Sequence, residues 1–203
     1  MKRWMVLGLL VCACGSDSGN NNPPPPTGSG TVNGTVGGKS ITVKDAVFGI
    51  DVPTGTMTLV VADRTDLCNL LGGHTLPSGE THVLGMGLLN WAGGLKGADI
   101  VTGDYTWADL PNLSGPPPNG KYWNGVFAIP TSCTAAIATL STAGTLAVTQ
   151  VGNTTGTHLK VTFTSLQFGA DTLTGNVEAL YCSNATLTPN CGGALLARPP
   201  AAE

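Results

Sequence analysis

Charge is scarce in this chain: nine Lys and Arg, twelve Asp and Glu and three His among 203 residues, with no two basic residues adjacent after Arg3. Gripping a phosphate backbone takes clustered cations, so nucleic acid is excluded as a partner. Short catalytic motifs are missing as well. There is no G-x-S-x-G elbow and no phosphate-cradling loop, and Gly85-Met86-Gly87 sits in a strand-like stretch with no helix after it. The nearest histidines, His74 and His82, stand eight residues apart across Pro77-Ser78-Gly79, and His158 is remote. The acidic loops Asp63-Arg64-Thr65-Asp66 and Asp99 to Asp109 lack the alternating carboxylates of an EF-hand. Glu80 and Glu178 are the only glutamates of the body, so no carboxylate pair for glycoside hydrolysis stands out. No catalytic residues, metal or cofactor are expected.

Long apolar runs are also missing, and the one short run is informative. It follows Lys2 and Arg3, extends from Trp4 to Val11 and ends in small residues. A basic start, a short apolar segment and small residues at its end describe an export signal, and the run falls far short of the roughly 20 residues that span a bilayer. Val11-Cys12-Ala13-Cys14 resembles the bacterial lipobox. That resemblance implies removal of residues 1–13, leaving Cys14 as an acylated N-terminus held in membrane lipid. Two or more acyl chains suffice for stable anchoring where one is marginal. Gly15, where a retained lipoprotein has Asp, implies delivery to the outer membrane. Without residues 1–13, seven basic residues face twelve acidic ones, a formal charge of −5.

Residues 14–30 contain GSDSGNNNPPPPTGSG, with no apolar side chain able to offset the entropy of ordering. This composition predicts a disordered tether reaching roughly 20 to 50 Å. Residues 31–197 form one body with no internal repeat, and 198–203 a short tail.

In the body, apolar residues alternate with Thr, Ser, Gly and Lys, and turn residues recur about every ten positions, the pattern of antiparallel strands. The clearest case is Thr157 to Ser165, with Leu159, Val161 and Phe163 on one side and His158, Lys160, Thr162 and Thr164 on the other. Nine further segments read as strands: 32–36, 40–43, 47–52, 57–62, 82–89, 105–107, 121–129, 144–151 and 173–181. The expected fold is an all-β antiparallel sandwich, with a β-barrel as the alternative. A short helix from Thr65, capped by its own hydroxyl, to Gly72 and a second over Thr134 to Leu140 complete it. Val36-Gly37-Gly38-Lys39 leading into Asp45-Ala46 is similar to uncharacterised lipoproteins of Gram-negative soil bacteria, a likeness that implies no catalytic residues.

Four cysteines remain in the body: Cys68, Cys133, Cys182 and Cys191. In an exported chain an even number reads as disulfides. The expected pairs are Cys68–Cys133 and Cys182–Cys191, worth roughly 4 and 3 kcal/mol by loop-closure entropy. Trp91, Trp107, Tyr122 and Trp123 are the side chains best suited to stacking on a sugar or anchoring a protein partner. The expected function is a lipid-anchored binding or structural module of the cell envelope, not an enzyme. The alternative is a secreted hydrolase whose dispersed residues meet only in the fold.

Overall fold

Alternating burial along the chain sets which way each strand faces. In the computed structural model, which describes residues 27–72, 81–94, 96–110, 115–132 and 135–183, the expected 157–165 segment is the strand β9 (His158–Phe168). Its Leu159, Val161 and Phe163 are buried, while Thr162 and Thr164 are exposed. The alternation slips one residue later, where Thr164 and Ser165 together oppose Thr174, a β-bulge that returns Leu166 and Phe168 to the interior. The other strands are β1 (Ser29–Asn33), β2 (Asp45–Asp51), β3 (Thr56–Ala62), β4 (Val83–Trp91), β5 (Gly103–Trp107), β6 (Gly120–Ser132), β7 (Ala135–Leu140), β8 (Thr145–Gln150) and β10 (Asp171–Tyr181). One helix, α1 (Leu67–Gly72), lies between β3 and β4.

Two expected elements are absent. Residues 40–43 form no strand; the chain beside them makes only an isolated bridge between Val36 and Lys39. The Thr134–Leu140 stretch, expected as a short helix, contains the strand β7. Its partner decides this: β6 is 13 residues long, and β5 pairs only with Tyr122 and Trp123, so β6 has an edge from Val126 onward that β7 takes. Pairing overrides local propensity. β1 also begins at Ser29, two residues before the expected start of the body.

The fold is a closed barrel, the alternative to the expected sandwich. Eight strands form the ring β10-β2-β3-β4-β6-β5-β8-β9, which returns to β10, while β1 and β7 lie on the edges of β10 and β6. Two antiparallel runs, β2-β3-β4-β6 and β5-β8-β9-β10, account for six of the eight joins. The remaining joins are short parallel seams. One pairs Leu180 with Val47 and Tyr181 with Phe48; the other pairs Thr106 with Tyr122 and Trp107 with Trp123. Sequence periodicity is the same in the two architectures, and two residue pairs at each seam turn facing sheets into a ring.

The interior is filled by side chains, as an eight-stranded barrel allows. Trp123, Tyr105, Phe48, Phe163 and Phe168 are among the largest fully buried groups, with Met57, Leu59, Leu84, Met86, Leu88, Leu146 and Leu159. Glycine makes room for two of the rings: a Cβ at Gly175 would come 3.1 Å from the Phe163 ring, and one at Gly125 would come 3.1 Å from Trp123. An apolar interior and a polar wall on β9 reverse the polarity of a transmembrane barrel.

Outside the ring, α1 covers the β10–β2 seam. Leu67, Cys68 and Leu71 pack with Val47, Val60, Ala62 and Cys182. The helix starts after Asp66, a non-glycine residue at φ 66°, whose carboxylate accepts from Asn69 Nδ2 at 2.6 Å. The first helical amide is satisfied from far away in sequence: Leu67 N donates to Asp45 Oδ2 at 2.9 Å. Asp45 Oδ1 accepts from Gly28 N at 2.9 Å and Ala46 N at 2.8 Å, so one carboxylate, 3% exposed, joins the start of β1, β2 and α1. A Cβ at Gly28 would overlap the carbonyl of Ala46, which is why the chain can lie this close.

The expected cysteine pairing is corrected here. Cys68 is bonded to Cys182, with Cα atoms 5.6 Å apart, which rules out both Cys68–Cys133 and Cys182–Cys191. Proximity in sequence favoured the short loop, whereas ring closure brings the end of β10 under α1 across 114 residues. The longer loop raises the entropic contribution to about 5 kcal/mol. Cys191 lies outside the described residues.

Replacing Asp45 by Ala strands three backbone donors and should lower unfolding free energy by about 3 kcal/mol with an unchanged denaturant slope. Urea titration of the purified domain measures it. A loss below about 1 kcal/mol would remove Asp45 from the closure of the barrel.

Candidate functional site

Adjacent strand residues point to opposite faces, so Tyr122 and Trp123 cannot share a platform. The structure assigns them accordingly. Trp123 is fully buried in the barrel, its Nε1 donating to Gly144 O at 3.1 Å, and it is withdrawn as a binding residue. Trp107 packs against the same core and donates through Nε1 to Ser141 O at 3.1 Å and Oγ at 3.0 Å, the role of a structural clamp. Tyr122 and Trp91 are left partly exposed on the outer side of the β4–β6 pair. Trp91 stands opposite Gly120 in register, and Tyr122 folds back over that glycine, its hydroxyl donating to Pro118 O at 2.9 Å. A Cβ at Gly120 would lie 3.0 Å from the Tyr122 ring, so glycine lets that ring lie close against the strand.

A second outer feature is a polar groove of about 170 Å³ across β1, β10, β9 and β8. Ser29, Thr149, Lys160, Thr162, Asn176 and Glu178 contribute to its walls. Glu178 Oε2 lies 3.2 Å from Lys160 Nζ, and its Oε1 approaches His158 Nδ1 at 2.9 Å without hydrogen-bond alignment. These half-exposed groups come from neighbouring positions of the β9–β10 ladder, Lys160 opposite Glu178 and Thr162 opposite Asn176. Ion pairs this exposed contribute little to stability.

The third feature joins two residues that the sequence left apart. His82 Nδ1 lies 3.0 Å from Asp63 Oδ2, and His82 N donates to Asp63 Oδ1 at 2.9 Å. An imidazole oriented by a carboxylate is a familiar catalytic element. Here, however, Nε2 is buried and the ring stacks on Phe127 with centroids 6.2 Å apart, so that nitrogen does not face solvent. The pair closes the excursion between β3 and β4. His74 lies outside the described residues, as does Cys14, the expected lipid site. Among the described residues no three His, Cys, Asp or Glu side chains gather as metal ligands.

The titration of the Tyr105 phenol is displaced. Its ring is buried, which pushes the phenol above its ordinary value of 10.0, and the hydrogen bond that Val101 N donates to the phenol oxygen at 3.2 Å acts in the opposite direction. The phenol in turn donates to Val101 O at 2.9 Å, fixing the approach to β5. Compared with known proteins, the chain matches no family model, no curated protein and no solved structure.

A phenol with a raised folded-state pKa favours the folded protein fully below the unfolded value, and that contribution disappears as pH rises through the folded value. The wild type should therefore exceed Tyr105→Phe by about 1 kcal/mol at pH 8. This advantage should shrink as pH rises above about 10, the ordinary phenol value. Denaturation at a series of pH values follows the difference; a constant gap would contradict the assignment.

Proposed function

We propose that the chain is an outer-membrane lipoprotein, anchored through acylated Cys14, whose barrel serves as a binding module of the cell envelope. The observation that carries this reading is the outward pair Trp91 and Tyr122 on either side of Gly120, supported by the filled interior. With no lumen available for a small ligand, recognition falls to the outer wall. Aromatic side chains exposed on neighbouring strands suit the apolar face of a sugar ring, and Asn119 and Asn124 nearby in sequence add amides able to bond hydroxyls. A glycan is the favoured ligand and a protein surface the other. The export signal and lipobox resemblance support the anchor, and the Pro-rich tether supports presentation away from the lipid.

The hydrolase alternative draws on the groove, whose Lys160 and Glu178 meet His158 beside it, a place where half-exposed titratable groups converge. The two readings separate by mutation. In a glycan array followed by titration, Trp91→Ala should weaken binding at least tenfold, with a barrel of unchanged thermal stability, and His158→Ala should leave binding intact. Cys14→Ser should move the protein from membrane to soluble fractions. Hydrolysis lost with His158 and indifferent to Trp91 would favour the alternative.

A further inference from the structure

The two parallel seams are equally short and differently secured. The β5–β6 seam is held without covalent bonds: Trp123 Nε1 donates to Gly144 O, Trp107 Nε1 to Ser141, Ala108 N to Trp123 O, and Gly125 N to Ser141 Oγ. The β10–β2 seam has two residue pairs and the bond from Cys182 N to Phe48 O at 2.8 Å. Across it stands the Cys68–Cys182 disulfide, which fixes the end of β10 to α1, and α1 packs on the outer side of β2 and β3. No comparable crosslink is present at the other seam among the described residues.

We infer that the Cys68–Cys182 disulfide is a redox latch on barrel closure: its reduction opens the β10–β2 seam and exposes the edge of β2, leaving the β5–β6 seam shut. Cys68 is partly exposed while Cys182 is 1% exposed, so attack falls on the Cys68 sulfur. A thiolate of a dithiol bonds to that sulfur as the Cys68–Cys182 bond breaks, and Cys182 leaves as a thiolate and takes up a proton. The second thiol of the reductant then displaces Cys68, so the protein gains two electrons and two protons and the dithiol becomes a disulfide. The rest of the ring stays assembled. Asp45 still ties Gly28, beside β1 and hence β10, to Ala46 of β2, and β9 still pairs with β10 along the eight residue positions from Asp171 to Ala179. What opens is the end of β10, Leu180 to Cys182, together with α1 and the strand edge at Val47 and Phe48. An exposed strand edge offers unpaired backbone groups to another chain.

Hydrogen exchange of the purified full chain, read by mass spectrometry before and after dithiothreitol, tests this, with Cys68→Ser/Cys182→Ser measured alongside to isolate the bond. Reduction should raise exchange at least about tenfold in residues 45–51, 67–71 and 180–182, and change residues 105–108 and 122–126 less than about twofold. The double variant should reproduce that pattern without reductant. Unchanged exchange at every site would make the disulfide an inert staple and overturn the latch. An equal rise at both seams, in the reduced protein and the variant alike, would mean general loss of stability and overturn it too.

Discussion

Closure at the β10–β2 seam is the constraint on which the rest of the molecule depends. The first and last strands of the ring must meet across most of the sequence, and their direct pairing consists of two residue positions. Long-range closure of this kind carries a large entropic cost, and so little backbone pairing does not offset it alone. Three other groups converge there: α1 with its apolar side against Val47 and Val60, the Asp45 carboxylate with three backbone donors, and the Cys68–Cys182 bond. Each draws together segments distant in sequence, so each acts chiefly by restricting the unfolded chain or satisfying groups that closure buries.

Closure also determines where recognition can occur. Once the ring forms, eight strands enclose only enough space for their own side chains, and Trp123, Tyr105 and four Phe rings occupy it. An aromatic directed inward becomes core, and one directed outward is available to a partner. That division separates Trp123 from its neighbour Tyr122. It also gives the outer wall two distinct characters: an aromatic pair on β4 and β6, and a polar groove with paired charges on β8, β9, β10 and β1.

Nine of the ten strands among the described residues are visible in the sequence because alternation is a local property: Leu159, Val161 and Phe163 announce β9 without reference to any other segment. What the sequence hides is whatever depends on a distant partner. β7 is a strand only because β6 offers an open edge beyond β5, and its alanines suit a helix equally well. The ring looks like a sandwich in sequence, since both need the same alternation. Cys68 and Cys182 are 114 residues apart and paired by the seam, so short loops misled the assignment. Asp45 gives no local sign of capping a helix 22 residues later. Of the candidate aromatics, parity alone would have excluded one of Tyr122 and Trp123, and the inward repeat Trp123, Phe127, Ile129 indicates which. The His82–Asp63 contact needed the fold, because the two flank the α1 excursion.

The hydrogen bond from Cys182 N to Phe48 O exists only if the ring is closed. Scalar coupling across that bond, between the Cys182 amide nitrogen and the Phe48 carbonyl carbon, is measurable by NMR on labelled, oxidised protein. A closed barrel predicts a resolved coupling and a slowly exchanging Cys182 amide. No coupling, with a Cys182 amide exchanging at solvent-exposed rates, would mean that the ring is open at this seam and the two antiparallel runs are joined only through β5 and β6, and closure would not be what holds this molecule together.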